Sequence, residues 1–156
     1  GSGQQWIVDR FADLARRRPD RVGVSFTYDE GLAHLVEAGS DLFLMPSVYE
    51  PCGLNQLYSL AYGTPPVVRA TGGLNDTVVP FDPATGRGNG FKFVGGMPHD
   101  LFDCASAALD LYHHNRAAWD TMVANGMAED HSWSAAAGVY EGIYHAAVQT
   151  ALRRNG

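Results

Sequence analysis

The chain has 156 residues, 46% hydrophobic and 18% charged: enough apolar material for one globular domain, and too much for a disordered chain. Eleven basic against seventeen acidic residues leave a net charge of −6, which lacks the electrostatic footprint of a nucleic-acid binder. Two cysteines, Cys52 and Cys104, exclude a disulfide framework and point to a reducing compartment, and no apolar run approaches the roughly 18 residues of a membrane span.

Gln4–Arg17 reads as a helix with Trp6, Ile7, Phe11, Leu14 and Ala15 on one stripe. The basic run Arg16-Arg17-Arg18 closes it, where cations suit the helix dipole. Val22–Phe26 is a short β-branched and aromatic run that predicts a strand. Asp29-Glu30 opens a second helix, stopped by Gly39, and Asp41–Met45 predicts a buried strand ended by Pro46. Leu54–Tyr62 is helical up to Gly63, Pro66–Val68 is a third strand, and Gly72-Gly73 turns into a short helix at Leu74–Val79. Phe81–Gly90 is a loop dense in Pro, Gly and Asp, and Gly90–Val94 is a fourth strand. Three helices follow, at His99–His113, Arg116–Glu129 and Ser134–Arg153, with Trp119, Trp133 and Tyr140 read as helix-packing residues.

Strands alternating with helices predict an α/β fold, a doubly wound parallel sheet with flanking helices. Ligands on such sheets bind outside the carboxyl ends of the strands. The loops Thr27–Glu30, Pro46–Leu54 and Ala70–Leu74 each follow a predicted strand and are expected on one edge. Four strands is thin for a complete domain of this kind. Gly1-Ser2-Gly3 reads as a cloning scar or as a strand-to-helix turn that has lost its strand, and both readings suggest a piece of something larger. The N-terminus lacks the apolar core of a signal peptide, so the expected location is the cytoplasm. Neither a membrane nor a nucleic acid is expected as a partner.

The densest chemistry lies in 46–56, Pro-Ser-Val-Tyr-Glu-Pro-Cys-Gly-Leu-Asn-Gln. A carboxylate, a thiol and a glycine stand immediately before a helix, whose N-terminus offers free N–H groups and about half a positive charge to a phosphate or sugar hydroxyl. Glu50 either caps that helix or receives sugar hydroxyls and stabilises positive charge; spacing alone leaves both open. Gly53 lets backbone approach a ligand closely. Cys52 reads as a small packed thiol, because a nucleophile needs a positioned base and the nearest histidine in sequence, His34, lies within a helix. Thr71-Gly72-Gly73-Leu74 is a second glycine turn feeding a helix, and Tyr28 is either an edge tyrosine or a platform for a nucleobase. His113-His114 is not a metal spacing, and phosphate-loop and nucleophile-elbow motifs are absent.

In Glu50-Pro51-Cys52-Gly53-Leu54, Tyr62-Gly63-Thr64, Pro66-Val67-Val68-Arg69 and Thr71-Gly72-Gly73-Leu74 followed by Asp76-Thr77-Val78, the chain closely resembles the C-terminal domain of bacterial glycogen synthases and plant starch synthases, glycosyltransferase family 5. Tyr28 with Glu30, Ala38-Gly39, Gly90-Phe91 and Ser132-Trp133 extend the resemblance over nearly the whole chain. It implies a Rossmann-like C-terminal half of a two-domain GT-B enzyme, lacking its first strands, with 1–156 as a partial nucleotide-sugar-binding domain and 134–153 its last helix. It further implies transfer of glucose from ADP-glucose to the 4-hydroxyl of an α-1,4-glucan with retained configuration, ADP-glucose being a substrate and no cofactor or metal ion being required.

By the same resemblance, Glu50 holds the donor glucose and stabilises an oxocarbenium-like transition state. Backbone around Cys52, Gly53 and Leu54 meets sugar hydroxyls, Asn55 meets the diphosphate, Tyr28 stacks near adenine, and Gly72 and Gly73 line the donor cleft. The chain departs from the family pattern at Val48-Tyr49, where Arg-Phe is common, at Ala61, where a basic residue is common, and at Asn55, which is often Thr. Tyr58 stands where a related Glu-x7-Glu family has its second carboxylate. The N-terminal domain, with its Lys-x-Gly-Gly-Leu loop, and the segment supplying an Arg and a Lys to the diphosphate are not in this sequence, so the chain alone is expected to be inactive. The competing expectations are a non-catalytic sugar-nucleotide or glucan-binding module and a related retaining transferase that uses UDP-glucose.

Overall fold

The structure, a computed structural model, describes residues 4–154; Gly1-Ser2-Gly3 lies outside the described residues. The chain divides into two compact units, Gly1–Val36 and Glu37–Gly156. The first holds α1 (Gln5–Arg17) and most of α2 (Glu30–Ala38). Asp29 starts α2 by accepting the Leu32 N–H on its Oδ1 at 3.0 Å, the expected use of a short acidic side chain at a helix start. The apolar stripe of α1 is present but uncovered: Trp6 and Phe11 are exposed, and the helix buries none of its residues.

Val22–Phe26 is not a strand. A strand exists only as a rung in a ladder, and among the described residues no segment pairs with 22–26, so its β-branched composition has nothing to act on.

The second unit contains β1 (Phe43–Met45), α3 (Asn55–Tyr62), β2 (Pro66–Arg69), α4 (Gly72–Thr77), β3 (Phe91–Phe93), α5 (Pro98–His114), α6 (Arg116–Met127) and α7 (Trp133–Arg154). The described sheet therefore has three strands rather than four, in the order β1-β2-β3, all parallel. Leu44 pairs with Val67 and Val67 with Phe91. Side chains alternate across a strand, and β2 uses both faces. Val67 packs with Phe93 and with Ala108 of α5, while Val68 packs with Leu74 of α4 and with Val78. Both faces being covered explains the unbroken apolar run of β2.

α6 lies against α3 and α5. Gly126 permits the close approach to α3, since a Cβ there would stand 2.7 Å from Leu60 Cδ2. Trp119 is buried edge-on to Tyr112, with ring centroids 5.0 Å apart. Trp133 and Tyr140, read from the sequence as packing residues, are 89% and 59% exposed, and α7 buries none of its residues among the described residues. Among the described residues no helix is long and apolar enough to cross a membrane.

The Tyr62-Gly63-Thr64 motif has a structural meaning. Gly63 closes α3 in the left-handed conformation, at φ 77°, and Thr64 donates its hydroxyl to the Glu37 and Ser40 carbonyls at 2.7 and 3.0 Å. The turn after α3 is thereby fixed to the segment leading into β1.

Leu74 of α4 is fully buried against Val68 of β2 and Val78. Leu74→Ala is expected to lower stability by about 2–5 kcal/mol, with an unchanged slope in urea unfolding.

Candidate functional site

The parallel sheet sends the carboxyl ends of β1, β2 and β3, at Met45, Arg69 and Phe93, to one edge. The loops 46–54, 70–71 and 94–97 leave from it, at the edge where ligands of such sheets bind. Thr27–Glu30 follows no strand and belongs to the other unit, so the expectation that it joins these loops rested on a strand that does not form. Tyr28 lies in that unit, 86% exposed.

The loops after β1 and β2 are in contact. The Gly73 N–H donates to the Glu50 carbonyl at 3.1 Å. A Cβ on Gly72 would overlap the Glu50 carbonyl oxygen, and one on Gly73 would overlap the Cys52 carbonyl oxygen. Paired glycines are therefore required by the approach of two backbones, and Gly72 also has a φ of 45°. This contact joins Glu50, Cys52, Gly53, Gly72 and Gly73 in one place.

Gly53 has φ 76° and turns the chain into α3. Leu54 is the N-cap residue and offers no side-chain acceptor; its carbonyl accepts the Leu57 and Tyr58 N–H groups, and among the described residues the N–H groups of Asn55 and Gln56 have no acceptor, which leaves them open to an external partner. Asn55 is exposed and Glu50 is half-buried. A carboxylate beside uncapped helix N–H groups suits a ligand that combines a hydroxylated or cationic part with an anionic part.

Cys52 is exposed, not packed. Its backbone, rather than its thiol, is what the neighbouring loop packs on. Burial pushes the other thiol, Cys104, up from its ordinary value and makes it the inert one.

Gln56 ends the 46–56 segment and carries no functional reading from the sequence. It is fully buried, and its Nε2 lies within hydrogen-bond distance of the Cys52 carbonyl (3.1 Å), the Gly53 carbonyl (3.0 Å) and Thr77 Oγ1 (3.2 Å). Its Oε1 has no partner among the described residues. Gln56 holds the shape of the 52–53 turn from beneath. A buried polar residue one position inside a helix start was the available signal.

A separate cavity of about 540 Å³ lies on the other side of Leu54, between α3 and the α6–α7 junction, with Tyr58, Glu129 and Trp133 in its wall. Glu129 is engaged there by Asn89 (2.6 Å) and His131 (2.8 Å). Among the described residues no group of three or more His, Cys, Asp or Glu is placed to hold a metal ion.

Residues 13–117 match the family described as glycosyl transferases group 1. The chain belongs to that family. It is 52% identical over 149 residues to a glycogen synthase of Koribacter versatilis and 54% identical over 144 residues to one of an Anaeromyxobacter species, covering 96% and 92% of this chain but 31% and 30% of those proteins. The chain thus spans just under a third of the length of the curated relatives it matches. The catalytic domain of starch synthase IV from Arabidopsis thaliana, solved with ADP and acarbose bound, superposes with a TM-score of 0.81 at 34% identity, over 95% of this chain and 31% of that one. Sucrose-phosphate synthase from Thermosynechococcus elongatus shares the fold, with a TM-score of 0.66 at 24% identity over 96% of this chain and 37% of that one. The chain thus has the fold of part of a GT-B glycosyltransferase and is similar in sequence to part of the glycogen and starch synthases.

The glycine contact has a direct test. Gly73→Ala places a methyl group against backbone and is expected to destabilise by about 1–3 kcal/mol. Gly138→Ala in α7, where a Cβ meets nothing within 4 Å, is expected to stabilise by up to about 1 kcal/mol. Urea unfolding of both variants checks the contrast, and equal effects would contradict the close approach.

Proposed function

We propose that this chain is the donor-binding part of a retaining glucosyltransferase that moves glucose from ADP-glucose to the non-reducing end of an α-1,4-glucan. The observation that carries the proposal is the juxtaposition of Glu50 with the uncapped start of α3, held by the Gly73 N–H to Glu50 carbonyl contact. The identity to proteins named glycogen synthase and the likeness to a starch synthase solved with ADP support the donor class.

In this reading the bond from the glucose anomeric carbon to the diphosphate breaks with charge separation. Positive charge grows on the sugar, where the Glu50 carboxylate stabilises it. Negative charge grows on the leaving diphosphate, where the N–H groups at the start of α3, beside Asn55, receive it. Both groups are fixed before reaction, so little reorganisation is needed when charge develops. Backbone at Cys52, Gly53 and Leu54 orients sugar hydroxyls, and Gly72 and Gly73 line the cleft. The reaction needs no metal ion and no cofactor in this scheme. The acceptor glucan and the remaining diphosphate contacts come from parts of a longer cytoplasmic enzyme outside this chain, so the chain alone transfers no glucose.

The test is glucan elongation by the full-length protein with ADP-glucose and with UDP-glucose. The expected result is elongation with ADP-glucose at the higher kcat/KM, and a fall in kcat of at least about 100-fold in Glu50→Gln. Elongation that prefers UDP-glucose would overturn the donor assignment. Full activity in Glu50→Gln would overturn the role of Glu50, and a full-length protein that binds ADP-glucose without elongating glucan would favour a binding module.

A further inference from the structure

Residues 46–54 connect β1 to α3, and Glu50 stands in the middle of them. The second half of this loop is held by the Gly73 N–H on the Glu50 carbonyl and by Gln56 on the Cys52 and Gly53 carbonyls. The first half has a different holder. Arg69, the last residue of the central strand β2, donates from Nη1 to the Val48 carbonyl at 2.8 Å. Its Nε donates to the Gly95 carbonyl at 3.1 Å, in the loop after β3. One side chain from the middle strand therefore ties together the loops that leave the strands on either side of it.

We propose that Arg69 is a positioning residue for Glu50. It fixes the backbone two residues ahead of the carboxylate and couples that backbone to the loop after β3. The inference rests on the reading of Glu50 as the donor-site carboxylate. The chemistry requires arginine: a guanidinium presents several donors in a rigid planar fork, and a charged donor makes the stronger hydrogen bond to a carbonyl. A lysine ammonium is a single centre on a flexible stem, and it cannot reproduce two bonds that leave different nitrogens toward two loops. Arg69 touches no reacting atom in this scheme. Its effect is on where Glu50 sits, and a misplacement of about 1 Å at a reacting centre can cost 100-fold in rate.

The experiment uses the full-length protein with Arg69→Lys, Arg69→Met and Arg69→Ala. Three quantities are read: amide hydrogen exchange in peptides covering 46–54 and 94–97, kcat with KM for ADP-glucose, and the response of Arg69→Ala to added methylguanidinium. The expected result is faster exchange in both loops with that of α5 and α6 unchanged. With it go a fall in kcat of about 10- to 100-fold, a KM for ADP-glucose within about threefold, and partial return of kcat with methylguanidinium. Arg69→Lys, the milder change, is expected to show the same split if Arg69→Met fails to fold. Unchanged exchange in 46–54, a wild-type kcat in an active Arg69→Met enzyme, or a loss confined to KM would each overturn the proposal. Failure of the wild-type protein to elongate glucan would instead defeat the donor-site reading, and the exchange data would still decide whether Arg69 holds the loop.

Discussion

The site depends on two backbones lying against each other without side chains between them. Glu50 and Cys52 present their carbonyls to Gly72 and Gly73, and the hydrogen bond from the Gly73 N–H to the Glu50 carbonyl, at 3.1 Å, is made across that contact. Everything else near the sheet edge serves or follows from this approach. β2 and β1 bring the loops to the same edge, Gly53 turns the chain upward into α3, and Gln56 supports the turn from the core side. Close packing makes the arrangement sensitive to single methyl groups, as protein interiors are.

The polar contacts show how a loop of irregular backbone is made rigid. Arg69, Gln56 and Gly73 each donate to carbonyls of 48–53. Such carbonyls would otherwise need water or a ladder partner. With the Val48, Glu50, Cys52 and Gly53 carbonyls bonded from the end of β2, from α4 and from α3, the loop can hold a carboxylate in one position while leaving helix N–H groups for a ligand. Preorganisation of this kind is what the proposed transfer requires, since fixed groups meet developing charge with little reorganisation.

Much of this frame was legible in the sequence. The runs read as strands at 41–45, 66–68 and 90–94 overlap the strands that formed at 43–45, 66–69 and 91–93, and Gly39, Gly63 and Pro46 marked ends correctly. The glycine pair at 72–73 and the carboxylate before a helix start pointed to the same sheet edge. Val22–Phe26 misled because strand composition is a statement about packing on a sheet, and no sheet partner is present for it among the described residues. Trp133 and Tyr140 misled for a similar reason: aromatic residues at helical spacing mark a surface to be covered, not what covers it. Gln56 and Arg69 were invisible as site residues because their roles lie in bonds to carbonyls that only the tertiary fold brings within reach, Arg69 to Val48 and Gly95 being the clearest case. The exposure of Cys52 could not be read from a composition that favours burial of cysteine.

The most direct test of the central claim is a crystal structure of the full-length protein with ADP bound. The account predicts the diphosphate within hydrogen-bond distance of the N–H groups at the start of α3, with Gly73 still donating to the Glu50 carbonyl and the Glu50 carboxylate facing the space where the glucose would attach. A nucleotide bound away from α3, or loops at 46–54 and 70–74 separated in the complex, would contradict it.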